Sequence, residues 1–297
     1  MSRVELGRVG AWGHLDSLSA SDARAYARRV EALGYGTLWV PETVGREPFT
    51  LLGLLAGETS RLVLGTSIVG IWGHDAQTTR MASLTLAEAT GDRFILGLGV
   101  SHPHLAEKLR GHRFDRPLTR MREFLAAYRA AVVRAPALDG VAEPPVLVAA
   151  LRERMTELAA TDADGAFPYL VAPDHVTGMR WTLDAAAPGQ RRLLAVTLPV
   201  VLGAGADAVG SARAYLKPYL RTPTYQAAWG LQGFDDVDWQ PPGSDRLLDA
   251  MIAVGDAARI RRRINELLAA GADHVALIPL APDGSTEHLG TLEALAS

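Results

Sequence analysis

Short apolar runs alternate with longer amphipathic runs along the whole chain. Eight of the apolar runs have the length and near-continuous apolar character of strands that are covered on both faces. They span residues 9–12, 37–40, 62–68, 94–98, 146–149, 165–167, 193–201 and 274–278. The pattern therefore predicts buried strands of the kind found in parallel sheets.

Most of these runs are followed by a segment with helical spacing. The predicted helices span residues 19–33, 49–58, 77–90, 118–134, 152–160, 175–186 and 206–220. Ser19 or Ser21 can cap the first of them. The fourth carries an apolar side made of Met121, Phe124, Leu125, Tyr128 and Val132. Eight strand–helix units with right-handed crossovers predict a closed α/β barrel, the (β/α)₈ TIM barrel, as a single domain over residues 1–297.

Three long connections interrupt this rhythm, at residues 99–117, 135–145 and 203–244. Long excursions that follow barrel strands belong on the C-terminal face, where they act as lids or pocket walls. In the third connection, Trp229, Phe234 and Trp239 have two interpretations. They line a pocket, or they pin the loop to the barrel.

Composition narrows the class of protein. The chain has 297 residues, a formal net charge of −3 and no cysteine, so disulfides, thiolate metal sites and cysteine nucleophiles are excluded. The charge gives no general case for nucleic-acid binding. The sequence has neither the apolar run of a signal peptide nor a segment long enough to cross a bilayer. We expect a cytoplasmic protein that acts on a small molecule and binds neither nucleic acid nor membranes.

Histidines that follow strands are the first chemical candidates. His102 and His104 come directly after the fourth predicted strand, where barrel active-site residues collect. His102 has three interpretations: a hydrogen-bonding or proton-donating group, half of a His-x-His metal pair, or an exposed loop histidine. No spacing in the sequence indicates a third metal ligand, so we predict no metal site.

Two further residues stand at strand ends. Glu42 follows the second strand, and it either contacts a ligand near the barrel axis or forms a salt bridge to a loop arginine such as Arg46. Trp12 ends the first strand and is either an apolar wall for a planar ring or a plug in the barrel. Asp75 has the position of a helix cap.

These segments carry a resemblance. In order along the chain, they are ARRVEALGYGTLWVPET, LVLGTSIVGIW, GDRFILGLGVSH, RPLTRMREFL, ADGAFPYLVAP and GDAARIRRRINELLAAGADHVAL. Over nearly its whole length the chain resembles the luciferase-like flavin and deazaflavin oxidoreductases. More narrowly, it is similar to an actinobacterial branch that uses coenzyme F420.

The resemblance implies a cofactor site at the C-terminal ends of the strands. It implies a non-proline cis peptide in the third strand, which corresponds here to Ser67–Ile68. The cofactor ring would then be flanked by Trp12, Glu42, Thr43, Ser67, Ile68 and His102. The resemblance also implies a homodimer packed through helices that follow the early strands.

The family's cofactor phosphate is held by backbone amides after the fifth strand, at the start of the next helix. The matching residues here are Ala149, Ala150 and Arg152. Relatives often have Gly-Pro where this chain has Arg152-Glu153, so the chain departs from the family pattern at this point.

The functional expectation is therefore a deazaflavin-dependent oxidoreductase. It would transfer a hydride between reduced coenzyme F420 and an apolar organic substrate, with His102 and Glu42 as candidate catalytic residues. The alternatives are an FMN-dependent monooxygenase on the same fold and a barrel that binds a partner without catalysis.

Overall fold

A computed structural model describes residues 4–286 and 289–296 of the chain. The predicted domain spans 1–297, so residues 1–3, 287–288 and 297 of that prediction lie outside the described residues. The strands are β1 Val9–Trp12, β2 Thr37–Val40, β3 Val63–Thr66, β4 Val69–Gly70, β5 Phe94–Gly99, β6 Val146–Val148, β7 Gly165–Ala166, β8 Leu193–Leu202, β9 Ala253–Gly255 and β10 His274–Pro279.

The helices follow the strands on the outside. They are α1 Ala20–Ala32, α2 Pro48–Ala56, α3 Ala76–Thr90, α4 Pro117–Ala130, α5 Glu153–Asp162, α6 Pro173–Ala186, α7 Ala206–Leu216, α8 Pro223–Gly230, α9 Asp236–Trp239, α10 Asp245–Met251, α11 Ala257–Ala269 and α12 Leu289–Ala296. A π-helical turn, Leu105–Leu109, lies in the first long connection. No helix in the described ranges is long and apolar enough to span a membrane.

The strands close into a parallel barrel in the order β10-β1-β2-β3-β5-β6-β7-β8, and β8 pairs with β10 to complete the circle. β3 and β4 are two pieces of one barrel strand, and β9 pairs only with the last residues of β8. Counting β3 and β4 as one strand and leaving out β9 gives eight, which confirms the predicted (β/α)₈ barrel.

Two predicted helices are too long. The helix predicted over residues 206–220 ends at Leu216, before Pro218, and a 3₁₀ turn follows at Tyr219–Arg221. The other is the helix predicted over residues 118–134. The apolar spacing predicts a helix to residue 134, but α4 ends at Ala130 and Ala131 is extended. Val132, expected on the buried side, is 64% exposed. The β-branched pair Val132-Val133 has low helix propensity, and the nearby Pro136 cannot continue a helix.

A buried histidine closes the floor of the barrel interior. His274, the first residue of β10, is fully buried; its Nδ1 bonds to the carbonyl of Gly7 (2.7 Å) and its Nε2 accepts from the Trp39 indole (3.0 Å). Burial lowers the pKa of His274 to about 4. Above it, the ring of Trp39 packs on Phe167. The barrel interior at this level is therefore a packed column of side chains.

Two of the three aromatic residues singled out in the third connection pin the loop, and the third, Trp239, is partly buried against the same apolar cluster. Trp229 is fully buried, and its indole N–H donates to the Leu170 carbonyl. Phe234 is 8% exposed and lies under the Arg246 guanidinium, 4.6 Å from its ring centre. For these two residues the pinning interpretation is confirmed.

Candidate active site

The third barrel strand is interrupted at the point where the resemblance implies cofactor contact. The Ser67–Ile68 peptide between β3 and β4 is cis, as predicted. The Ser67 N–H donates to the Val40 carbonyl (2.8 Å), and the Glu42 N–H donates to the Ile68 carbonyl (3.2 Å). These bonds tie the ends of the second and third barrel strands together.

Trp12 and Ile68 are fixed by neighbouring strands. The Trp12 indole N–H donates to Ser67 Oγ over 3.1 Å. The Ile68 side chain lies against Gly99, where an added Cβ would be only 2.6 Å from Ile68 Cδ1 and 3.2 Å from Ala149 Cβ. Glycine at 99 therefore leaves the space that the Ile68 side chain occupies. The structure places Trp12, Ser67, Ile68 and Ala149 at neighbouring positions; whether they contact a cofactor stays a prediction.

The Glu42 carboxylate is held by three donors. Its Oε1 contacts His74 Nε2 (3.0 Å) and Arg110 (2.5 Å), and its Oε2 accepts from the Gly70 N–H (2.6 Å). A side chain at position 73 would overlap the Arg110 guanidinium, so Gly73 makes room for this ion pair. Glu42 is thus joined to β4 and to the end of the π-helical turn.

These contacts keep Glu42 ionised. Burial by itself would raise the pKa of Glu42, but the hydrogen bonds from His74 and Gly70 and the charges of His74 and Arg110 lower it below its ordinary value. The salt-bridge interpretation of Glu42 is confirmed, although the partner is wrong: it is Arg110, not Arg46. Arg46 instead donates its backbone N–H to Asp16 and its guanidinium to the Leu18 carbonyl.

Thr43 and Asp75 have their own partners. The Thr43 hydroxyl donates to the Asp16 carboxylate. Asp75 accepts from the Thr78 N–H and caps α3, as predicted. We call Trp12, Glu42, Ser67 and Ile68 the ring end. A cleft with about 300 Å³ of empty space opens beside it, lined by Glu42, Thr43, Gly70, Trp72, Ser101, Leu105, Ala106, Leu109 and Arg110.

His102 follows the cleft residue Ser101 and precedes the π-helical turn. Its carbonyl accepts the N–H groups of Leu105 and Ala106. Its Nδ1 is buried and has no hydrogen-bond partner among the described residues. Burial, with a smaller effect from His104, lowers the pKa of His102, so the imidazole is neutral at pH 7.

The neighbours of His102 are aromatic rings. The His104 ring stacks on it at 6.0 Å, and the Tyr225 ring of α8 lies 5.5 Å away. Within residues 4–286 and 289–296, no group of three histidine or acidic side chains is arranged to hold a metal ion.

The start of α5 forms the second part of the candidate site. We call residues 149–154 the phosphate end. Arg152 is the N-cap of α5 without a side-chain hydrogen bond, whereas Ser19, Asp75 and Asp256 cap α1, α3 and α11. In the described chain, the N–H groups of Glu153 and Arg154 have no acceptor. Ala150 is buried, and Arg152 to Arg154 are exposed.

His175 of α6 supports the phosphate end. Its Nε2 bonds to the Leu151 carbonyl over 3.1 Å, and burial lowers its pKa. Sequence reasoning missed this contact, as it missed Arg110 and Tyr225. For His175, the sequence offered only a weak indication, namely a histidine two residues after the proline that begins α6. For Arg110 and Tyr225, the sequence offered no indication.

The chain is similar to proteins of this fold over its full length. It is 27% identical to the Mycobacterium tuberculosis protein called putative coenzyme F420-dependent oxidoreductase Rv3520c, and the match covers 97% of both chains.

Two solved structures have the same fold. The coenzyme F420 dependent tetrahydromethanopterin reductase of Methanopyrus kandleri matches with a TM-score of 0.74 and 17% identity, over 98% of this chain and 97% of that one. The oxygenating constituent of 3,6-diketocamphane monooxygenase of Pseudomonas putida, in complex with FMN, matches with a TM-score of 0.74 and 15% identity, over 97% and 95%.

The family model described as luciferase-like monooxygenase matches residues 4–274. That range runs from the residues before β1 to the first residue of β10 and includes both parts of the candidate site. The chain therefore belongs to the luciferase-like monooxygenase family.

Proposed function

We propose that the protein is a coenzyme F420-dependent oxidoreductase that transfers a hydride between the reduced deazaflavin and an apolar organic substrate. The observation that carries the proposal is the full-length likeness to Rv3520c, which is named for that coenzyme. The geometry of the candidate site supports it at two points, the ring end and the phosphate end.

At the ring end, the residues present fit a planar cofactor. Trp12, Ile68 and Ala149 supply apolar side chains at the strand ends, and the polar groups of Trp12, Ser67 and Glu42 are already paired. His102 Nδ1 is the exception, because it is buried and has no partner in the described chain. An orphaned polar atom beside a cleft is the feature expected where a ligand supplies the missing partner.

When bound, the reduced coenzyme supplies the hydride. We assign to His102 the second requirement, a donor for the substrate atom that gains electron density. The neutral imidazole holds one ring proton, and in the Nδ1–H tautomer it donates from the unpartnered nitrogen. Glu42 is ionised with both oxygens occupied, so its role is to position the loop of residues 101–110 through Arg110.

At the phosphate end, the free N–H groups of Glu153 and Arg154 would hold the phosphate of the coenzyme. Unpaired amides at a helix N-terminus favour an anion, and the helix dipole adds to the attraction. The Arg152 side chain is exposed at the same point and carries a positive charge, whereas the Glu153 side chain carries a negative one.

A second candidate is an FMN-dependent monooxygenase. The observation that favours it is the same open N-terminus of α5, which suits the phosphate of FMN equally well. Titration of the purified protein with coenzyme F420 and with FMN, followed by fluorescence quenching, separates the two. Micromolar binding of FMN without binding of the deazaflavin would overturn our first choice, and binding of neither would overturn both.

The role of His102 is tested after a screen of electron acceptors with the reduced deazaflavin. We expect His102→Ala to lower turnover by about 100-fold, within the usual range for a lost acid–base group. His104→Ala is the matched control, because His104 is exposed on the same loop, and it should retain turnover within about twofold. Deazaflavin affinity should stay the same in both variants. Full turnover in His102→Ala would remove His102 from the donor role.

A further inference from the structure

Four tyrosines gather at the C-terminal end of the barrel, next to His102. We call Tyr169, Tyr215, Tyr219 and Tyr225 the tyrosine cluster. Tyr169 follows β7, and the other three belong to the long connection after β8. The Tyr219 and Tyr225 rings are 5.1 Å apart, and Tyr169 lies 5.5 Å from Tyr219 and 6.0 Å from Tyr225.

The hydroxyl groups of the cluster are not equivalent. The Tyr169 hydroxyl bonds to that of Tyr215 and, over 3.0 Å, to that of Tyr219. The Tyr225 hydroxyl forms no hydrogen bond with any described residue, although Tyr225 is only 6% exposed. Three phenols therefore satisfy one another, and the fourth keeps a free donor.

The free hydroxyl belongs to the ring that neighbours His102. The two ring centres are 5.5 Å apart, and on the other ring His102 Nδ1 is buried and without a partner in the described chain. The Tyr225 hydroxyl, in contrast, is not fully buried, so a ligand can reach it from solvent. Buried donors are almost always paired, and an exception is a mark of a missing ligand or water. His102 Nδ1 is such an exception, and the unpaired Tyr225 hydroxyl on the adjacent ring offers a second donor to the same ligand.

Both donors of this pair are uncharged. Burial raises the pKa of the Tyr225 phenol and lowers the pKa of the His102 imidazole, so each is in its neutral form at pH 7. A neutral carbonyl oxygen accepts from neutral donors without a desolvated charge.

We propose that Tyr225 and His102 together bind one carbonyl oxygen of the substrate, and that the substrate is an apolar ketone or aldehyde. Tyr169, Tyr215 and Tyr219 hold the Tyr225 ring in place and leave its hydroxyl available. The claim that this contact binds a substrate rests on the proposed function, because the hydride of the reduced coenzyme would reduce a carbonyl group. The binding contact itself requires no coenzyme.

The test uses 1-indanone and indane, which share a carbon skeleton and differ at the carbonyl group. Calorimetric titration of the full chain should show that the wild type binds the ketone more than about tenfold tighter than the hydrocarbon. Tyr225→Phe should reduce this preference about fivefold, the effect of one neutral hydrogen bond. Tyr219→Phe, which removes a hydroxyl bonded inside the cluster, should leave the preference within about twofold.

Thermal unfolding without ligand should rank the two variants in the order opposite to that of the binding test, because the variant that loses ketone preference should keep its Tm. Tyr225→Phe should keep the Tm because the hydroxyl that it removes has no partner in the described chain, and Tyr219→Phe should lower the Tm because it breaks the bond to the Tyr169 hydroxyl. Equal preference for ketone and hydrocarbon in the wild type would overturn the proposal. So would an unchanged preference in Tyr225→Phe, or a Tm loss in that variant as large as in Tyr219→Phe.

The coenzyme titration stays separate from this test. Ketone preference that depends on Tyr225 in a protein that binds no deazaflavin would sustain the carbonyl contact and refute the proposed function. Deazaflavin binding without ketone preference would do the reverse.

Discussion

The two parts of the candidate site treat their polar groups in opposite ways. At the ring end, Glu42 has three donors and the Trp12 indole has Ser67, so the chain satisfies these groups itself. At the phosphate end, α5 begins without a side-chain cap, and the N–H groups of Glu153 and Arg154 stay open.

This difference teaches where binding and folding are coupled. Internal partners preorganise a site, but each of them also contributes to stability, so a change there affects both properties. Open donors at an exposed helix end contribute little to stability, because water replaces the missing ligand. We therefore expect the ring end to respond to mutation with unfolding and the phosphate end with weaker binding.

The paired region extends downward into the barrel. Below the ring end, Trp39 of β2 packs on Phe167 and donates to His274, which is bonded in turn to Gly7. No ligand reaches this column, so it gives a reference for what internal pairing alone contributes.

The largest expected effect is a loss of folding stability at acid pH, caused by His274 in that column. The pKa of His274 is about 4 in the fold and 6.5 when unperturbed, so the folded state favours the neutral ring. Its contribution is complete above pH about 6.5 and is lost as the pH falls from there to about 4. The full loss is about 3 kcal/mol, of which about 2 kcal/mol falls between pH 7 and pH 5.

Urea unfolding at pH 7 and pH 5 measures this response in the wild type and in His274→Gln. The amide of glutamine does not titrate, so the variant should lose less stability between the two pH values. Equal losses would show that His274 titrates normally and that the column is not a closed paired unit.

The fold was readable from the sequence because its signal is repeated. The apolar runs and the amphipathic helices between them recur around the barrel, and each unit supports the same conclusion. The misjudged end of α4 arose where apolar Val132 fits the helical spacing but β-branched residues and Pro136 end the helix.

The site was readable only in part. Strand-end residues such as Glu42 and Ser67 are placed by the barrel itself, and the resemblance gave their neighbours. Arg110 and Tyr225 reach the site from long connections, and no periodicity relates them to it. Arg46 lies closer to Glu42 in sequence than Arg110 does, but the path of the loop places Arg46 beside Asp16 and Leu18, to which it donates hydrogen bonds.

A second, smaller effect is expected at the ring end. Glu42→Gln keeps the shape of the side chain but removes the charge that pairs with Arg110 and His74. We expect the free energy of unfolding to fall by about 2 kcal/mol, the usual contribution of hydrogen bonds to a buried charged group. The control is Glu143→Gln, which breaks a more exposed pair with Arg80 and should cost less than about 1 kcal/mol. Equal losses of stability in the two variants would show that the ion pair of Glu42 contributes no more than the exposed pair of Glu143 and Arg80.

The smallest effect is expected in affinity at the phosphate end, where a single N–H group can be removed. Glu153 is the first residue of α5, and proline fits that position because Arg152 before it is already extended. The chain itself begins α2, α4, α6 and α8 with proline. Glu153→Ala removes the repelling charge and keeps the N–H, so deazaflavin affinity should rise slightly.

Glu153→Pro removes the same charge and the N–H as well. We expect its affinity to be about tenfold below that of Glu153→Ala, the contribution of one hydrogen bond to a charged phosphate. The Tm values of the two variants should agree within about 2 °C, because the amide has no partner in the free protein. A large Tm loss in Glu153→Pro alone would mean that the N–H already has a structural role. The phosphate end would then be paired in the same way as the ring end, and the contrast between the two parts of the site would fail.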